Sequence, residues 1–165
     1  LRVASKLDNA GDEVRVAYLW ALVDYGSDDE LRTVLHDYRP MVADNASYWG
    51  AYGAGLLRLG NPREALTYLR QQAALSDDDP LWMLSLADAE EAAGDAGTAW
   101  KIRQGAWKDL QARAESGQLR FASRRRQGAV VQRLAALTSD NAGVLEAQAA
   151  RGTLAQVFSL YLIHL

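Results

Sequence analysis

Three glycines recur at a spacing of 34 residues: Gly26, Gly60 and Gly94. Each is followed by a helix-capping residue type, Ser27, Asn61 and Asp95, whose side-chain oxygen can accept one of the backbone N–H groups left over at a helix start. Glycine is the residue that most readily closes a helix in the left-handed conformation. Each glycine–cap pair therefore predicts the end of one helix and the start of the next. Glu30 and Glu64 stand three residues past the first two caps, making S-x-x-E and N-x-x-E, a capping box and a close relative. Pro62 falls at a first helical position, where its missing N–H is harmless. The third corner has Thr98 in the acidic position, a weaker match.

Other columns keep the same phase. Twelve residues before each glycine come Val14, Tyr48 and Trp82; eight before, Tyr18, Tyr52 and Leu86; five after, Leu31, Ala65 and Ala99. The registers are 12–45, 46–79 and 80–113, each two helices joined by a tight glycine corner. Small residues at two of the columns let the paired helices approach closely, and bulky ones fill the gaps between pairs.

A 34-residue helix–turn–helix period resembles the tetratricopeptide repeat family. The second unit carries the resemblance best, through Trp49, Tyr52, Gly53, Leu56, Gly60, Ala65 and Leu69. The third offers Leu86, Ala87, Gly94, Ala99 and Ala106. The first is poorer, with Leu19 and Leu31 where the family prefers Gly or Ala, and the family's proline near the repeat end is missing from all three. The resemblance implies an all-α fold, a right-handed α-solenoid of antiparallel helix pairs. Residues 1–11 fit the end of a preceding repeat helix closed by Gly11. After Arg113 the period slips, and 114–165 reads as degenerate helical pairs of the same kind. Both ends read as cut from a longer chain. No run approaches the ~20 apolar residues of a membrane span, so no direct insertion of this segment is expected.

A repeat of this kind cannot bury its apolar face alone, and stacking does it. In the family the stack leaves a concave groove lined mainly by the first helix of each pair. Those columns, carried onto this chain, give Glu13, Val16, Trp20 and Asp24; then Ser47, Gly50, Ala54, Leu57 and Arg58; then Leu81, Leu84, Asp88 and Glu91. Trp20 lies two residues from the core column at Tyr18 and points off the core face, where it could stack on a sugar ring, a cation or a partner side chain; packing on the preceding repeat is the structural alternative. Gly50 and Ala54 make the middle shallow, which suits an extended peptide or a protein surface better than a small-molecule pocket.

Charge is divided along the chain. Residues 1–99 hold 8 basic and 17 acidic residues and residues 100–165 hold 10 basic and 4 acidic, within an overall net charge of −3. Such an asymmetry steers and orients partners more than it adds affinity. Arg120, Arg124, Arg125, Arg126 and Arg133 form a stretch with no intervening acid, either a contact for an acidic protein or anionic polymer, or a solvated helix face. Only Phe121 interleaves, a poor fit to nucleic acid. Asp28-Asp29-Glu30 and Asp77-Asp78-Asp79 fall at helix starts, where they oppose the macrodipole.

Catalytic chemistry finds little footing. The chain has no Cys and two His, His36 and His164, and lacks phosphate-binding, zinc-protease and calcium-loop strings. Glu90 and Glu91 are neighbours on one helix and point apart, unlike carboxylates paired across a cleft. No catalytic residue, metal site or cofactor is expected. Residues 46–110 also resemble in style the periplasmic scaffold regions of outer-membrane exopolysaccharide export proteins, the Pel-like ones above all. That resemblance implies a periplasmic array that recruits a polysaccharide-modifying enzyme and guides polymer toward an outer-membrane pore. An adaptor of another bacterial complex, a cytoplasmic regulator or chaperone adaptor, and direct glycan binding in the groove are the alternatives.

Overall fold

The computed structural model describes residues 11–76 and 80–116. Among the described residues six α-helices follow one another: α1 (Asp12–Tyr25), α2 (Asp28–Asp44), α3 (Trp49–Arg58), α4 (Pro62–Leu75), α5 (Pro80–Ala92) and α6 (Ala96–Glu115), with one 3-10 turn, Ala46–Tyr48, leading into α3. No strand occurs among the described residues. The chain divides into two compact units, Leu1–Ile102 and Arg103–Leu165. Helices α1 to α5 belong to the first unit.

Packing follows chain order: α1 on α2, α2 on α3, α3 on α4, α4 on α5. The odd-numbered helices also touch in sequence, α1 with α3 and α3 with α5. This is the all-α stack of adjacent helix pairs expected from the repeat. One apolar cluster runs through it, from Leu19 and Leu22 of α1 through Leu31, Leu35 and Val42 of α2 to Leu69 of α4 and Trp82 and Leu86 of α5. Each fully buried leucine contributes roughly 1.5–3 kcal/mol.

The small-residue columns act as their spacing predicts in the second pair. A Cβ on Gly53 would lie 2.8 Å from Leu69 Cγ and 3.4 Å from the Ala65 carbonyl oxygen. Helices α3 and α4 therefore pack almost backbone to side chain. In the first pair Leu19 and Leu31 occupy the same columns, and both are fully buried, so α1 and α2 meet through leucine side chains instead.

The three corners are not equivalent. Gly60 (φ 78°) and Gly94 (φ 100°) are left-handed. Gly60 N–H donates to the Leu57 carbonyl and Asn61 N–H to Leu56, and Gly94 and Asp95 donate likewise to Glu91 and Glu90, at 2.9–3.0 Å. Such paired bonds satisfy two of the carbonyls left over at a helix end. Gly26 departs from expectation: its φ is −74° and ψ 164°, extended backbone, with a single N–H bond to the Leu22 carbonyl. Glycine is needed there for close approach, because a Cβ would fall within 2.9 Å of Leu22 Cα and carbonyl oxygen.

Two of the three predicted caps form. Ser27 Oγ accepts from Glu30 N–H, and the Glu30 carboxylate accepts from Ser27 N–H, both at 3.3 Å. Asp95 Oδ1 accepts from Thr98 N–H at 2.9 Å. Asn61 makes no side-chain cap bond, and the glutamate meant to complete its motif, Glu64, reaches Arg39 instead at 3.2 Å. Pro62 at the first helical position already removes one donor, which lessens the need for the cap. Bonding by the Ser27 hydroxyl, then by its backbone N–H, holds the Glu30 carboxyl below its ordinary value. Ser27→Ala should lower stability by about 1 kcal/mol and let the Glu30 carboxyl titrate closer to an ordinary glutamate, both readable by thermal melting and NMR titration.

Candidate functional site

The columns assigned to the groove lie on the odd-numbered helices, which sit side by side. On α1, Glu13 and Asp24 are exposed and Val16 and Trp20 are half-buried. On α3, Ala54 and Leu57 are half-buried while Gly50 is buried, and Ser47 is exposed in the turn before it. On α5, Leu84 is buried, Asp88 half-buried and Glu91 exposed. The face is thus an apolar floor in which Trp20 stands among smaller side chains, with carboxylates along it.

Trp20 is not an open stacking platform. Its ring lies against that of Trp82, with centroids 5.9 Å apart and planes inclined by 36°. Trp82 itself is only 5% exposed and rests on Gly50, where any Cβ would overlap its ring. A ring partner of Trp20 is therefore two repeats further on; the preceding repeat, the other packing surface considered, lies outside the described residues. The shallow middle predicted from Gly50 is filled by the Trp82 side chain.

Arg58 also has an unforeseen task. One guanidinium nitrogen, Nη1, donates to the carbonyls of Leu22 at 2.7 Å and Val23 at 2.9 Å. The other, Nη2, donates to the Gly26 carbonyl at 2.6 Å and to Asp28 Oδ1 at 3.0 Å. Arg58 closes the end of α1 and pairs with the start of α2, so its charge is directed into the first corner. Glu90 is buried and accepts twice from Arg70, at 2.7 and 3.1 Å, while its neighbour Glu91 is exposed, as their adjacency predicts.

A polar joint that the sequence reading missed links the first two repeats. Asp12 accepts from the Tyr48 hydroxyl at 2.7 Å and from Asn45 Nδ2 at 2.8 Å. Tyr48 is fully buried and stacks edge-on with Tyr38. Burial first, then the bond to Asp12, pushes its hydroxyl up to about 12. Burial, then the neighbouring Tyr68, pushes Tyr52 to about 12 as well. Raised phenol values mean that the folded chain holds these protons more tightly than the unfolded one. Their contribution is complete below the ordinary value of 10.0 and is lost as pH rises toward 12. The melting temperature should fall across that window, and Tyr48→Phe should flatten part of the fall while costing about 1 kcal/mol at neutral pH.

Arg120, Arg124, Arg125, Arg126 and Arg133 lie outside the described residues, as do Asp77, Asp78 and Asp79. Among the described residues no group of three or more His, Asp or Glu is placed to hold a metal ion, and no helix is long and apolar enough to cross a membrane.

No curated protein and no solved structure matched the chain. A family model did, that of the tetratricopeptide repeat, over residues 1–112. The match takes in all three glycine corners and the helix pairs around them, about two thirds of the sequence, and the chain belongs to the tetratricopeptide repeat family.

Proposed function

We propose that the chain is a non-catalytic scaffold for protein–protein interaction whose contact surface is the face of α1, α3 and α5. The supporting observation is the make-up of that face. Val16, Trp20, Ala54 and Leu57 supply a half-buried apolar floor, and Glu13, Asp24, Asp88 and Glu91 add four carboxylates. The one cation assigned to it, Arg58, is turned into the first corner and paired with Asp28. An extended partner segment alternating small apolar with basic side chains fits this chemistry. Its charges would speed encounter and fix its register more than they add affinity.

The resemblance of residues 46–110 to periplasmic scaffolds of exopolysaccharide exporters supports a narrower setting, recruitment of a polysaccharide-modifying enzyme beside an outer-membrane pore. In that setting the carboxylates would also suit a partly cationic polymer, and Arg124, Arg125 and Arg126 an acidic surface on the enzyme.

The test is capture of partners by two variants of the whole chain. One carries Glu13→Lys, Asp24→Lys, Asp88→Lys and Glu91→Lys; the other carries Arg124→Glu, Arg125→Glu and Arg126→Glu. The first should lose captured partner about tenfold or more and the second should keep it. The reverse outcome would move the contact to the arginine stretch. Titration with cationic and neutral oligosaccharides, followed by tryptophan emission, checks the polymer: a flat signal with both removes it.

A further inference from the structure

Repeats in a stack normally touch only their neighbours. Trp20 of the first pair and Trp82 of the third break this rule, their ring centroids standing 5.9 Å apart. The contact exists because the intervening helix offers no side chain at Gly50, on whose backbone the Trp82 ring rests. The same columns do not carry a second such pair within the three repeats. The residues 34 and 68 positions after Trp20 are Ala54 and Asp88, and those 68 and 34 before Trp82 are Val14 and Tyr48. No other pair of repeats could build it from the same columns.

We infer that Trp20 and Trp82 form a strut tying the first helix pair to the third across the second. The strut makes the three pairs open and unfold as one block, where a nearest-neighbour stack would lose its first pair separately. It also presets the spacing of α1 and α5 along their common face. Spreading that face requires the two rings to part, so a partner meets a surface whose geometry is already fixed. The inference stands without the partner-binding reading, since its readouts need no ligand.

A double-mutant cycle on the whole chain tests it, with Trp20→Phe, Trp82→Phe and the two together, unfolded by urea. In a nearest-neighbour stack, substitutions two repeats apart add. With the strut, the folding equilibrium constant of the double variant should differ from additivity by about threefold to tenfold, the range of an aromatic pair. Circular dichroism supplies the second readout: an indole–indole exciton couplet in the wild type, lost in either single variant. If Trp82→Phe proves too damaging, Trp82→Tyr replaces it in the cycle. Additive losses would overturn the strut whatever the spectrum shows, and so would a couplet that survives either substitution.

Discussion

Trp82→Ala is expected to cost about 3–5 kcal/mol, the range for emptying a buried aromatic site. That is a large share of the 5–15 kcal/mol that holds a typical domain together. Three losses combine. The indole is 5% exposed, so nearly all of its apolar area returns to a cavity. The cavity opens over Gly50, whose missing side chain leaves nothing to relax into the space. Trp20 loses its ring partner. Trp20→Ala removes the same ring contact from a half-buried position and should cost roughly half as much. Trp100, 41% exposed on α6, serves as the comparison, and its replacement by alanine should cost less, about 2 kcal/mol by the area it buries. Urea midpoints at unchanged slope give the order directly. Trp82→Ala no more harmful than Trp100→Ala would mean that the indole is not a support of the stack.

How much of this could be read from the sequence follows the range of each interaction. The corners at Gly60 and Gly94, the Ser27–Glu30 box and the Asp95 cap depend on residues within five positions of one another, so spacing alone finds them. The face of the odd helices was legible as a set of columns, because a repeat places equivalent residues on equivalent surfaces. Its relief was not. Trp82 occupies a column shared with Val14 and Tyr48 and reads as ordinary core. Nothing local says that its ring crosses Gly50 to reach a tryptophan 62 positions earlier in the sequence. Asp12 opens the first register, yet its partners are Asn45, at the far end of that register, and Tyr48, in the next repeat. Gly26 shows the limit of a shared motif. The same glycine–cap signal gives a left-handed corner twice and an extended one once, because Ser27 is held extended by its capping box directly after a helix whose end is closed from elsewhere.

That closure makes Arg58→Ala the second large effect, expected at about 2–3 kcal/mol. Without the paired bonds of the other corners, α1 ends with the Leu22, Val23 and Gly26 carbonyls gathered around one guanidinium. Hydrogen bonds to a charged donor contribute about 1.5–3 kcal/mol each when shielded, and the Arg58 side chain is 31% exposed, so water recovers part of that loss. The ion pair adds little, since Asp28 is 62% exposed and exposed pairs are worth at most ~1 kcal/mol. Asp28→Asn should therefore cost no more than about 0.5 kcal/mol, which separates the two roles of the arginine. Arg58→Lys should recover less than half of the alanine loss, because an ammonium cannot reproduce the planar fork that serves carbonyls on both sides. Hydrogen exchange locates the effect: amides in the last turn of α1 should lose protection in Arg58→Ala while those of α4 change only as much as the global stability does. Unaltered protection at the end of α1 would show that the first corner closes without its arginine, and the departure of Gly26 from the other two glycines would then have no compensating partner.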